Sequence, residues 1–266
     1  MKTIHQSLNG QAYFHGFLHD CPGPAGQKHF PTIVIVPGGS FTHIPESQAE
    51  QVALAFFARG FNAIYLRYSF ISEITPILPV PIIELGQTMV LLKDHSDWPV
   101  DANQVLILGM SAGGLVTALY NDYWSSSWLT NAIGTTAAQL EPRATILCYP
   151  VTNVQLGFPT TAATIATWTN DRQRDAAERH VTAANKPTFI WATTEDQAVP
   201  ITNSLVYTKA LYEHQIPLEA HIFNHGPHGL ALADQTTAWK PGTDLPHVAH
   251  WFELALEWIT DLLADD

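Results

Sequence analysis

Val105-Leu106-Ile107-Leu108-Gly109-Met110-Ser111-Ala112-Gly113 is the stretch whose reading decides the fold. Its four leading residues are all aliphatic, as in a buried strand, and the residues that follow, Gly114-Leu115-Val116-Thr117-Ala118-Leu119-Tyr120, have helical spacing. The serine between two glycines reads as a nucleophile elbow, a turn so sharp that its backbone is strained. Side chains at the flanking glycine positions would strike the adjoining strand and helix. The helix N-terminus also directs positive dipole density at the Ser111 hydroxyl, which suits a place where an oxyanion forms. A bare Gly-x-Ser-x-Gly recurs in unrelated proteins, so the weight rests on strand, turn and helix standing in order and on partners further along the chain.

Outward from this stretch, apolar runs alternate with helical patterns, which predicts an α/β fold with a mostly parallel central sheet flanked by helices. Strands are expected at 33–36, 61–68, 104–108, 144–148, 188–192 and 218–223, with helices at 47–59, 82–93 and 248–263. Gly60 supplies a stop after the first helix, whose Val52, Ala55 and Phe56 share a face. The segment 151–186 is rich in Thr and Ala, carries the charged patch Asp171-Arg172-Gln173-Arg174-Asp175 and has a helical tail through His180. It reads as a small cap or lid over the strand ends, or equally as an ordinary crossover helix with an extended loop. With no repeat and no linker composition, 1–266 is expected to form one domain.

Composition narrows the function. A formal net charge of -12 repels nucleic acid and anionic membrane surfaces, so the expected partner is a small neutral molecule. There is no apolar run long enough to cross a bilayer, and the start, Met1-Lys2-Thr3-Ile4-His5-Gln6-Ser7-Leu8-Asn9-Gly10, lacks the apolar stretch of a secretory signal. A soluble cytoplasmic protein is expected, and its association with further copies of itself is left open. The two cysteines, Cys21 and Cys148, give no disulfide framework, and Cys148 within the run 144–149 reads as a core residue.

In an open parallel sheet ligands bind beyond the carboxyl ends of the strands, so the residues just after each strand carry the chemistry. After 188–192 come Glu195-Asp196-Gln197-Ala198-Val199-Pro200, and after 218–223 come Asn224-His225-Gly226-Pro227-His228-Gly229. The order serine, acid, histidine makes Ser111, Asp196 and His228 a candidate triad. A serine hydroxyl is a weak nucleophile unless a base takes its proton as the bond forms, and an acid on the far side of the imidazole fixes the tautomer. Asp196 has a plainer reading as the cap of a helix starting near Ile201. His225 is the rival base on the same loop, and the His225/His228 pair lacks the further ligands a metal site needs. The turn Pro37-Gly38-Gly39-Ser40-Phe41 follows the strand 33–36, and the amides of Gly39, Ser40 and Ala112 are the expected oxyanion hole.

Gly109-Met110-Ser111-Ala112-Gly113-Gly114, Glu195-Asp196-Gln197-Ala198-Val199-Pro200 and Gly226-Pro227-His228-Gly229-Leu230 together resemble the catalytic blocks of the serine carboxylesterases of the α/β-hydrolase superfamily. The resembling branch is the one related to hormone-sensitive lipase and to bacterial acetyl-xylan-type carbohydrate esterases, and the likeness covers nearly the whole chain. It implies the α/β-hydrolase fold, hydrolysis of short-chain acyl esters with acetylated sugars among the substrates, and no metal or organic cofactor. One departure stands out: many relatives open the oxyanion block with His-Gly-Gly-Gly, where this chain has Pro37-Gly38-Gly39-Ser40. That leaves the donor set open, with the Ser40 hydroxyl near the acyl oxygen and His43 or Phe41 at the entrance as candidates. Trp124, Trp128 and Trp168 are candidate walls for a sugar ring, against the plainer reading as core packing. Two rival functions share these residues: a prolyl-peptidase-like hydrolase, whose usual N-terminal propeller a 266-residue chain cannot hold, and a hydrolase-fold binding protein without turnover.

Overall fold

The computed structural model describes residues 1–20 and 29–264, so Cys21 lies outside the described residues. In chain order the elements are β1 (Lys2–Ser7), β2 (Tyr13–Leu18), β3 (Phe30–Val36), α1 (Glu46–Phe57), β4 (Asn62–Arg67), α2 (Val80–Asp94), β5 (Val100–Met110) and α3 (Ala112–Tyr123). There follow α4 (Ser127–Ile133), α5 (Ala137–Leu140), β6 (Thr145–Cys148), α6 (Ala162–Trp168), a 3-10 turn at Ala177–Arg179, β7 (Thr188–Thr193), α7 (Thr202–Glu213), β8 (Leu218–Phe223) and α8 (Pro246–Ala264).

The strands form one sheet in the order β1-β2-β4-β3-β5-β6-β7-β8. From β4 to β8 neighbouring strands are parallel, and β1 and β2 are added antiparallel at one edge. Ile33 to Val36, Leu106 to Leu108 and Ile146 to Cys148 are wholly buried, because parallel strands covered by helices on both faces expose no polar side. The helices pack in groups: α1 meets α8 through Phe56 and Phe252 and the Arg59–Glu253 ion pair, while α2 packs against α3, α4 and α5. Cys148 is fully buried, as its apolar run indicated.

Two features depart from the sequence reading. The helical tail expected through His180 is only the 3-10 turn Ala177–Arg179, and the regular helix of this region is α6, further upstream. Side chains explain why: Asp171 Oδ1 accepts from the amides of Gln173 and Arg174, and Asp175 is tied to Thr169 and Arg174. Such local bonds hold the backbone in turns instead of a helix. The sequence reading also had no β1 or β2. Their polar alternation, with Lys2, His5 and Gln6 at the open edge, belongs to an antiparallel rim whose backbone bonds do not need an apolar run.

Near the C-terminal end of α3, Asp122 is buried, and its Oδ1 accepts from Asn185 Nδ2 at 2.6 Å and from the Tyr207 hydroxyl at 3.0 Å. Its Oδ2 has no partner among the described residues. Burial pushes this carboxyl well above the ordinary 3.8, more than the two hydrogen bonds pull it down. The folded chain thus holds the proton where the unfolded chain has lost it, so this group's contribution is complete below the unfolded value and fades as pH rises above it. Asp122→Asn keeps the shape and removes the titration. Urea unfolding between about pH 4 and 7 should then show a flatter pH dependence and no loss of stability at pH 7, whereas a variant that loses stability more steeply with rising pH contradicts the assignment.

Candidate active site

Ser111 joins β5 to α3 with φ 54° and ψ -120°, a backbone conformation in which a side chain is strained. Three glycines make that conformation possible by giving up volume. A Cβ on Gly109 would stand 2.4 Å from Thr117 Oγ1, and one on Gly113 would stand 2.1 Å from the Val36 carbonyl oxygen. One on Gly38 would stand 2.8 Å from the Ser111 Cβ itself. Hydrogen bonds fix the turn from the neighbouring strand: the Ser111 amide donates to the Cys148 carbonyl at 3.1 Å, and the Val151 amide donates to the Ser111 carbonyl at 3.0 Å.

The structure brings Ser111, His228 and Asp196 into one line. Ser111 Oγ lies 2.6 Å from His228 Nε2, and His228 Nδ1 lies 2.6 Å from Asp196 Oδ2. The Asp196 side chain is 2% exposed and Ser111 7%, while the His228 side chain between them is 21% exposed. Asp196 Oδ1 accepts from the amides of Ala198 and Val199, both at 2.9 Å, so the carboxylate is locked in its own turn while its other oxygen meets the imidazole. It does not cap α7, whose N-cap is Ile201. The Tyr149 ring stands edge-on to the His228 imidazole, with centroids 5.0 Å apart, and limits its tilt.

His225, the rival base, points elsewhere. Its Nδ1 lies 3.0 Å from Glu195 Oε1 in an exposed pair, and the His225 ring with the Gly226 amide holds the Glu195 carboxyl below its ordinary range. Among the described residues there is no group of three or more His, Cys, Asp or Glu arranged to hold a metal ion. No helix there is long and apolar enough to cross a membrane.

Facing Ser111 is the turn after β3. Gly39, Ser40 and Phe41 all have positive φ, at 111°, 55° and 58°, and the Gly39 carbonyl accepts from Thr42 N and Oγ1. Among the described residues the amides of Gly39, Ser40 and Ala112 have no acceptor. Gly39 and Ser40 line the same cavity as Ser111. Behind the turn the buried Tyr68 hydroxyl donates to the Pro37 and Gly38 carbonyls at 2.8 and 3.1 Å, and burial pushes its pKa up so that it remains a donor. Phe41, a candidate for the entrance, is instead fully buried between Tyr68 and Trp168. His43 lies outside, bonded to Thr42.

The cavity over Ser111 has a volume of about 300 Å³ and is walled by Met110, Tyr149, Phe158, Pro45 and Gln48. The three tryptophans singled out from the sequence do not line it. Trp168 is wholly buried behind Phe41 and Phe158, Trp124 is bonded to Ala184 and covered by Lys186, and Trp128 packs on Tyr123. The tryptophan beside His228 is Trp239, which the sequence reading passed over. Its signal was present: a large aromatic in the turn-forming run Trp239-Lys240-Pro241-Gly242, outside any strand or helix that would bury it.

A parallel sheet with a strained serine at the carboxyl end of a central strand, an imidazole and a buried carboxylate defines an α/β-hydrolase. The chain belongs to the BD-FAE family, whose model matches residues 21–211. A carboxylesterase from Lactobacillus plantarum WCFS1 superposes with a TM-score of 0.89 at 33% identity, covering 98% of each chain. An acetyl ester-xyloside bifunctional hydrolase from Caldicellulosiruptor lactoaceticus superposes with a TM-score of 0.79 at 27% identity, covering 96% of this chain and 89% of that one. Endo-1,4-beta-xylanase B of Butyrivibrio fibrisolvens is 28% identical over 222 residues, 79% of this chain, and the chain spans about a third of that relative's length (34%). The likeness to carboxylesterases places this chain among the carboxylic ester hydrolases of the fold.

Tyr68→Phe removes one hydroxyl and keeps the ring. With the Pro37 and Gly38 carbonyls released, kcat/KM on an acetate ester should fall about tenfold while the thermal midpoint moves by only a few degrees, roughly what one buried hydrogen bond is worth. An unchanged kcat/KM would show that the turn does not depend on this anchor.

Proposed function

We propose that this chain hydrolyses short-chain acyl esters, acetyl esters of sugars among them, through a Ser111–His228–Asp196 triad and an acyl-enzyme. The observation that carries this reading is the unbroken line from Ser111 Oγ through both imidazole nitrogens to Asp196 Oδ2, two contacts of 2.6 Å, opening into a small cavity. Ser111 Oγ attacks the acyl carbon as His228 Nε2 takes its proton, and Asp196 stabilises the imidazolium through Nδ1. The carbonyl oxygen becomes an oxyanion beside the free amides of Gly39, Ser40 and Ala112, where losing one donor typically costs about 3 kcal/mol of transition-state stabilisation. When the tetrahedral intermediate collapses, His228 hands its proton to the departing alkoxide. Water then attacks the acyl carbon as His228 takes its proton, and on collapse the Ser111 Oγ–acyl bond breaks, Oγ takes the proton back from His228 and the acid is released.

The cavity of about 300 Å³ and its walls at Phe158 and Tyr149 favour a small acyl group. The sugar side of the reading is supported by the similarity to a xylanase and to an acetyl ester-xyloside hydrolase. Ser111→Ala leaves imidazole and carboxylate in place and removes the attacking atom. Hydrolysis of p-nitrophenyl acetate by the purified variant should drop by roughly 10⁴-fold or more, and turnover at the natural rate would refute the assignment.

A further inference from the structure

Where the alcohol half of the ester goes follows from which group protonates it. On the triad reading, on which this inference rests, the departing alkoxide takes its proton from His228 Nε2, so the alcohol must lie beside His228 and outside the acyl cavity. Two further cavities meet the acyl cavity there, all three bordered by Ala198 and His228. One, of about 860 Å³, is edged by Glu195, Gln197 and Lys240, and the other, of about 650 Å³, by Pro45, Ser47 and Gln48. Trp239 borders both, at 54% exposure.

An indole left half in water at a loop tip is ordinary when its loop is loose, but this loop is built. The buried Thr243 Oγ1 accepts from the amides of Trp239 and Lys240 at 3.2 and 3.3 Å and donates to the Lys240 carbonyl at 2.7 Å. From α1, Gln48 Nε2 donates to the Thr237 carbonyl at 2.8 Å and to that of Gly229, next to His228, at 3.4 Å. The backbone that carries the ring is thereby tied to the loop that carries His228. Lys240 Nζ lies over one face of the indole, 4.5 Å from its centroid, and Glu195 and Gln197 line the same cavity as the ring.

A half-exposed indole in a cavity that also holds charged and amide side chains matches a molecule with an apolar and a polar part. A sugar ring has both: a face of C–H bonds that covers an indole, and an edge of hydroxyls that needs donors and acceptors. An alkyl alcohol offers these side chains no hydroxyls to bond, and the walls of the acyl cavity hold no Lys, Asp or Glu. We infer that Trp239 forms the leaving-group subsite of this enzyme and that the alcohol seated on it is a pyranose ring, with Glu195, Gln197 and Lys240 meeting its hydroxyls.

The test compares two acetate esters that share the acyl group and differ in the alcohol: a monoacetylated methyl pyranoside and ethyl acetate. Trp239→Ala should lower the ratio of their kcat/KM values about tenfold through a higher KM for the pyranoside, while Trp239→Phe, which keeps a ring, should recover most of the ratio. Trp239→Leu keeps apolar bulk in the turn and carries the same comparison should the alanine variant fail to fold. A natural enzyme that hydrolyses both esters, with the ratio within about twofold in all three variants, overturns the subsite and leaves the triad standing. A natural enzyme that hydrolyses neither ester overturns both.

Discussion

One constraint governs the rest: a serine with positive φ must sit where a central strand ends and a helix begins. That backbone is unfavourable for any residue with a side chain, and it persists because its surroundings leave no alternative. Gly109 and Gly113 let α3 approach β5 and the end of β3, Gly38 lets the β3 turn come against Ser111, and the Cys148 carbonyl anchors the serine amide from β6. Four segments of chain therefore fix one side chain. Strain at one residue is sustained by the packing of a whole sheet, whose strands β3, β5 and β6 are wholly apolar where they adjoin the turn.

Because the strands run parallel, their carboxyl ends gather at one rim, and the partners of Ser111 come from there. Asp196 follows β7 and His228 follows β8, two strands adjacent in the sheet. Their turns are shaped for separate tasks. The Asp196 turn is closed by the carboxylate's own bonds to Ala198 and Val199, which leaves the other oxygen committed to the imidazole. The His228 loop is held by Gln48 from α1 and by the Tyr149 ring. Tyr68, which sits at the carboxyl end of β4, braces the β3 turn from behind. Ser111 and His228 are thus positioned by bonds and packing from several separate segments of the chain.

How much of this was legible in the sequence depended on range. The inner strands announce themselves as apolar runs, and Ser111 and Asp196 stand beyond two of them, while His228 follows the half-exposed edge strand β8, in which Glu219 and His221 interrupt the apolar pattern. The antiparallel strands β1 and β2 carry His, Gln and Lys between apolar residues, and their pairing is recorded in backbone bonds that composition does not reveal. The tail near His180 failed as a helix because Asp171 and Thr169 hold the backbone with their own side chains, a competition that spacing alone does not weigh. Phe158, Gln48 and Trp239 reach the site from a crossover segment, from α1 and from a loop after β8. Trp124, Trp128 and Trp168, the candidate walls in the sequence, are packed elsewhere.

In the proposed chemistry Ser111, and no other residue, is the activated nucleophile. Peptide mass mapping after brief treatment of the folded protein with a fluorophosphonate tests it most directly, since only an activated hydroxyl reacts and the adduct is permanent. A single phosphonyl adduct is expected, on the peptide containing Ser111, and absent when the protein is unfolded first. An adduct on another residue, or none under conditions where acetate esters are turned over, would contradict it.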